Sequence, residues 1–89
     1  MFDFRQIDAL IKEDNEASWA KARKALRRLL KMDGRSVEGW WRYAQIAPDL
    51  KEACMALENV LVLDPNHPNA ADALAILRRR MAEQSDADT

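Results

Sequence analysis

The chain has very little of what disulfide-bonded, zinc-binding and nucleotide-binding folds require. Its 89 residues include only two glycines, three prolines and one cysteine. The single Cys54 excludes an internal disulfide and leaves no cysteine pair to hold zinc. With Gly34 and Gly39 as the only glycines, no glycine-rich phosphate-binding loop can form. These absences argue against the commoner cofactor and metal sites, and we expect neither a cofactor nor a metal.

Charge and hydrophobicity are also too evenly spread to direct the chain to a particular environment. The formal net charge is −1, so no overall field attracts nucleic acid or an acidic membrane. No apolar run approaches the roughly 18 residues of a membrane span. The first residues carry Asp3 and Asp8, where a secretory signal would have basic residues followed by an apolar run. We therefore expect a cytoplasmic protein with no membrane association.

The residues that are present are typical of helices. Hydrophobic residues make up 48% of the chain and charged residues 33%, enough for one helical domain. Apolar side chains at helical spacing predict five helices. Asp33-Gly34 separates the second from the third, and Asp64-Pro65 separates the fourth from the fifth. Asn15 or Ser18 is expected to cap the second helix, Pro48 to begin the fourth and Asn69 to cap the fifth. Residues 1–81 are predicted to form the domain, and residues 82–89 a disordered acidic tail.

An internal repeat is the most informative pattern. When the sequence is shifted by 31 residues, the second helix falls on the fourth. The identical pairs are Ala22/Ala53, Ala25/Ala56, Leu26/Leu57, Leu30/Leu61 and Asp33/Asp64. A period of 20–50 residues with two helices in each unit indicates a stack of helix pairs.

The residues of the second unit resemble the tetratricopeptide repeat (TPR) family. Trp40, Tyr43 and Ala44 match the family pattern on the first helix of a pair, while Ala53 and Pro65 match the second helix and the junction after it. The step from Trp40 to Ala53 is about three residues shorter than usual, which implies a shortened first helix. The resemblance implies an all-α, five-helix, right-handed stack of antiparallel helix pairs: two units and a C-terminal solvating helix.

The resemblance also implies a function and a surface. Members of the family bind proteins or peptides, and the first helix of each pair lines the inner face. Trp40 is expected in the core and Trp41, turned by about 100°, nearer the surface as an anchor for a partner. The partner-binding residues implied on the third and fifth helices are Glu38, Trp41, Gln45, Asp72, Ile76 and Arg79. In the first helix, the corresponding residues are Arg5, Asp8 and Lys12.

The sequence leaves two alternatives to this scaffold role open. The second helix carries a run of cations without an intervening acid, which could bind an anionic partner such as nucleic acid; we expect a solvated outer face instead. Its candidate residues are Lys21, Lys24, Arg27, Arg28 and Lys31. A second copy of the chain is the other alternative partner, giving a homodimer. No acid–base pair or activated nucleophile stands out, so we expect no enzyme, no catalytic residue and no small-molecule substrate.

Overall fold

Five helices account for all the regular structure in the part of the chain that the computed structural model describes, residues 4–87. Within these residues, successive helices are the main packing partners. The helices are α1 (Arg5–Lys12), α2 (Glu16–Met32), α3 (Val37–Ile46), α4 (Leu50–Leu63) and α5 (Ala70–Ala87). The predicted all-helical class and the predicted number of helices are therefore confirmed.

Short polar side chains begin the three central helices. The side chain of Asn15 accepts a hydrogen bond from the Ser18 amide at 2.9 Å at the start of α2. Ser36 accepts one from the Gly39 amide at 3.1 Å at the start of α3. Each bond satisfies an amide that has no partner within its own helix. Of the two caps considered for the second helix, Asn15 is the one used.

The predicted start of the fourth helix is wrong by two residues. Pro48 was expected as its first residue, but α4 begins at Leu50. Asp49 is the cap, and its carboxylate accepts a hydrogen bond from the Glu52 amide at 2.8 Å. Because this carboxylate needs an extended backbone to reach back to the helix, Pro48 lies outside the helix, before the cap.

The fifth helix extends beyond the predicted end of the domain. We expected a tail from Ala82 onward, whereas α5 continues to Ala87. Ala82, Glu83 and Gln84 are all residues with good helix propensity, so polarity alone does not end the helix there. Residues 88 and 89 of the predicted tail lie outside the described part of the chain.

The core consists of two clusters that meet at α3. The first cluster contains the buried residues Ile7, Ala22, Leu26, Leu29, Tyr43, Ile46 and Ala56. The second contains Cys54, Leu57, Val60, Ala70 and Leu74. Trp40 and Ala44 pack against both clusters. The identical pair Leu26/Leu57 is thus divided between the two clusters, with one residue in each.

Two donors from α2 hold the ends of its neighbours. The indole Nε1 of Trp19 donates to the carbonyl oxygen of Ile11 at 2.9 Å, near the end of α1. Nη1 of Arg23 donates to the carbonyl oxygen of Ile46 at 2.8 Å, at the end of α3. The Ile46 carbonyl is one that the helix end leaves without a backbone donor, whereas the Ile11 carbonyl also accepts a hydrogen bond from the Asp14 amide at 3.1 Å. Because both helices end beside the N-terminal half of α2, α1 and α3 both run antiparallel to α2.

Candidate functional site

A depression lies between α1 and α3. It has a volume of about 580 Å³, and its lining is mostly polar and charged. Six of its lining residues are Asp8, Lys12, Glu38, Trp41, Arg42 and Gln45. Ile11 contributes from α1, and His67 from the segment before α5. The depression is therefore formed by helices that are distant in sequence.

Two further depressions continue this surface to α5. The second, of about 230 Å³, is mainly apolar and is lined by Trp41, Ala44, Gln45, Leu57, Ala73, Ile76, Leu77 and Arg80. The third, of about 590 Å³, is lined by Asp72, Ala75, Ile76, Arg79, Arg80 and Glu83. Trp41 and Gln45 belong to the first and second, and Ile76 and Arg80 to the second and third. The three adjoining depressions form one surface, which we call the groove.

Every residue implied as partner-binding on the third and fifth helices lines this groove. Glu38, Trp41 and Gln45 line the first depression, and Asp72, Ile76 and Arg79 line the third. From α1, Asp8 and Lys12 also contribute, whereas Arg5 is not among the lining residues. Their role in binding a partner stays a prediction.

Sequence reasoning missed several lining residues. His67 lies between two helices, and a lone histidine in such a position has no pattern that indicates a site. The repeat marks Leu57 only as an identical position, whereas in the structure it is buried and also lines the second depression. Arg42 and Arg80 could have been found, since each follows a predicted inner residue at helical spacing: Glu38 and Ile76 precede them by four residues.

Trp41 is partly buried and contacts His67. The two ring centroids are 4.8 Å apart, with 39° between the ring planes. Nδ1 of His67 accepts hydrogen bonds from the Asn69 amide at 3.3 Å and the Ala70 amide at 3.1 Å. His67 therefore supplies the acceptor at the start of α5 that the sequence assigned to Asn69. Through its ring, it also connects that start to α3.

Replacement of His67 by alanine is expected to lower the free energy of unfolding by about 1 kcal/mol, the typical cost of losing a helix cap. A domain of this size should then melt roughly 4–8 °C lower. His67→Asn keeps a short side-chain acceptor and should recover most of the loss. Thermal unfolding followed by circular dichroism measures both. Equal losses in the two variants would show that the ring contact with Trp41, and not the cap, stabilises this segment.

An ion pair links α1 and α3 beside the first depression. Nε and Nη2 of Arg42 donate to the two carboxylate oxygens of Asp8 at 2.7 and 3.2 Å. The guanidinium also lies over the ring of Phe4, 4.1 Å from its centroid. The hydrogen bonds from Arg42 hold the pKa of Asp8 below its usual value. Since this pair is neutral overall, Lys12 and Glu38 are the charges that the depression offers to a ligand.

A second polar cluster surrounds Tyr43, which is buried. Its hydroxyl donates to Oε1 of Glu52 at 3.0 Å and accepts a hydrogen bond from Nη2 of Arg27 at 3.2 Å. Burial is the main cause that raises the pKa of Tyr43. Arg27 lowers this pKa and Glu52 raises it, and the net result lies above 10.0. The neutral phenol is therefore the form that the fold stabilises.

The single tyrosine makes this pKa measurable by absorbance near 295 nm. In the folded protein, we expect the tyrosinate midpoint above 10.0, and in concentrated urea a return to about that value. The stabilisation is fully present below the unfolded pKa and is lost as the pH rises through the folded one. Glu52→Gln should lower the folded midpoint, because it removes a nearby negative charge. The matched change Glu58→Gln should leave the midpoint in place; an equal effect from both would contradict this assignment.

The cations of α2 form a second surface. Lys21, Lys24, Arg27, Arg28 and Lys31 are all exposed. Arg23 belongs to the same run in sequence, but its side chain is buried: it is 8% exposed and pairs with Glu16 as well as the Ile46 carbonyl. The run therefore provides five cations at the surface and one that stabilises the fold.

The environment of Cys54 keeps its thiol protonated. Burial, and to a smaller extent the charge of Glu58, raise its pKa. Its sulfur lies 3.5 Å from that of Met81.

Within the described residues, no group of three or more His, Cys, Asp or Glu side chains could hold a metal ion. In the same part of the chain, we find no helix with the length and apolar character needed to cross a membrane.

The chain was also compared with known proteins. No family model matches it, and neither the curated proteins nor the solved structures give a significant match. The resemblance to the TPR family therefore rests on the residues quoted above.

Proposed function

We propose that the chain is a TPR-like recognition module that binds a segment of another protein in the groove. The observation that supports this proposal is that the residues implied by the resemblance to the TPR family, on helices far apart in sequence, line one continuous surface with an apolar centre. Surfaces that combine an apolar centre with a polar rim are typical of protein recognition sites.

The centre and the ends of the groove would contribute differently to binding. Trp41 and Ile76 line the apolar second depression, and burying them against a partner would supply most of the affinity. Lys12 and Glu38 at one end, and Asp72 and Arg79 at the other, would orient the bound segment. Because the lining side chains stand on helices, the surface is formed before binding, which limits the conformational entropy lost on association.

The role needs neither a catalytic group nor a cofactor, and we include no small-molecule substrate in the proposal. We place it in the cytoplasm, where a reducing environment would keep the free thiol of Cys54 unpaired. The alternative partner is a second copy of the chain, which would occupy the groove and form a homodimer. Sedimentation at increasing protein concentration separates the two, because only the homodimer changes mass with concentration.

Ile76→Asp is the sharpest test of the groove. Ile76 is 54% exposed, so an aspartate there should not unfold the protein, but it places a charge at the apolar centre. Trp41→Ala is less informative, because Trp41 also packs in the second core cluster. We expect Ile76→Asp to weaken partner binding about thirtyfold or more, the effect of losing an interface anchor.

Val62→Asp is the matched control. Val62 is 77% exposed, lies on α4 and lines none of the three depressions. Wild type and both variants would be immobilised and exposed to a lysate of the source cells, after circular dichroism has confirmed equal helix content. A protein retained by wild type and Val62→Asp, but not by Ile76→Asp, supports the proposal. Retention of the same protein by Ile76→Asp would show that the groove is not the binding site.

A further inference from the structure

Four of the exposed cations of α2 form a stripe that points away from the core. At about 100° per residue, they fall within an arc of about 80° and extend over about 15 Å of the helix. The arc lies opposite the buried residues Ala22, Leu26 and Leu29. Among the described residues, none of the four forms an ion pair. These residues, which we call the basic stripe, are Lys21, Lys24, Arg28 and Lys31.

A depression between α2, α3 and α4 begins at the end of this stripe. Its volume is about 320 Å³, and Arg27, Lys31, Trp40, Tyr43 and Glu52 are among its lining residues. Lys31 belongs both to the stripe and to the depression. Cationic side chains therefore lead directly to a depression lined by the partly buried Trp40 and the buried Tyr43.

The aromatic part of this depression is held in place. Nε1 of Trp40 donates to the Gly34 carbonyl oxygen at 2.8 Å, which orients the indole. The guanidinium of Arg27 is 5.7 Å from the centre of the Tyr43 ring and hydrogen-bonded to its hydroxyl. A planar ligand entering here would meet Trp40, with Arg27 and Lys31 at the edge of the depression.

We propose that the basic stripe and this depression bind single-stranded nucleic acid. Phosphates would contact Lys21, Lys24, Arg28 and Lys31, and a base would enter the depression and stack on Trp40. Cationic side chains that follow a phosphate backbone, combined with an aromatic surface for a base, are the usual elements of such binding. An acidic polymer without planar rings, such as polyglutamate, would contact the cations and leave the depression empty. This activity goes beyond the proposed function, because no residue of α2 lines the groove.

The first test measures how binding of a fluorescein-labelled oligodeoxythymidylate depends on salt. Four phosphate contacts predict that the logarithm of the affinity falls against the logarithm of the salt concentration with a slope of about −2.8. In Lys24→Gln/Arg28→Gln, two contacts remain and the slope should be about −1.4. Fluorescence anisotropy measures both. Lys51→Gln/Arg78→Gln removes the same charge from α4 and α5 and should keep the wild-type slope; equal slopes in the two variants would overturn the proposal.

The second test asks whether bases contribute as well as phosphates. An abasic oligomer of the same length should bind about tenfold more weakly, a factor within the range that stacking of one base on an aromatic side chain supplies. Polyglutamate at the same concentration of charge should fail to displace the oligodeoxythymidylate. If the abasic oligomer binds equally well, or polyglutamate displaces the labelled strand, the site recognises acidic polymers in general and the nucleic-acid proposal is wrong.

Discussion

Replacement of Leu26 by alanine is expected to lower the free energy of unfolding by about 3 kcal/mol, within the range of 2–5 kcal/mol for leucine-to-alanine changes in cores. Leu26 is 0% exposed and belongs to the first cluster, together with Ile7, Tyr43 and Ile46. The substitution removes apolar contacts and leaves a cavity that helices joined by short turns cannot readily close. For a small domain this is a large part of the total stability.

Urea unfolding followed by helical circular dichroism would measure this loss. Val62→Ala is the control, because Val62 is 77% exposed and its truncation should change stability by less than about 0.5 kcal/mol. If Leu26→Ala cost no more than this control, α1, α2 and α3 would not share the core that the structure assigns to them.

Replacement of Arg23 by methionine is expected to cost about 2 kcal/mol, the typical contribution of a hydrogen bond that involves a charged group. Methionine occupies a similar volume, so the loss comes mainly from the Ile46 carbonyl, which would lose its donor in a buried position. The pair with Glu16 adds little, because the carboxylate side chain is 74% exposed.

Two further variants separate the charge of Arg23 from its geometry. Arg23→Lys keeps the charge but loses the planar arrangement of donors, so it should recover only part of the stability. Arg28→Met removes a cation from the exposed side of the same helix and should change stability by no more than about 0.5 kcal/mol. Urea midpoints provide the comparison. If Arg28→Met were as costly as Arg23→Met, the buried contact with α3 would not be the cause.

Much of the fold could be predicted because the signals that begin and end helices are local. Asp33-Gly34 and Asp64-Pro65 interrupt helical spacing within the sequence itself, and the side chain of Asn15 reaches the amide of Ser18 only three residues away. The groove residues on α3 and α5 were predicted from the resemblance to the TPR family, in which the first helix of each pair lines the inner face. Both kinds of prediction depend on short or periodic relations between residues.

The remaining features depend on contacts between helices. The sequence does not distinguish Arg23 from the other cations of the basic run. Its side chain is buried because it contacts the carbonyl of Ile46, 23 residues away. The role of His67 depends on a turn that points Nδ1 toward the first amides of α5, and no sequence pattern specifies that turn. The depression beside the basic stripe likewise requires α2, α3 and α4 to meet.

The division of the core into two clusters has a consequence for motion. α5 packs mainly on α4, and its buried residues Ala70 and Leu74 belong only to the second cluster. We expect α5 to detach while the first cluster stays folded, so its amide hydrogens should exchange with solvent earlier than those of α2. Ile76 and Arg79 leave the groove whenever α5 detaches. A partner that contacts both α3 and α5 would hold α5 in place. Its binding would therefore slow amide hydrogen exchange in α5 more than in any other helix.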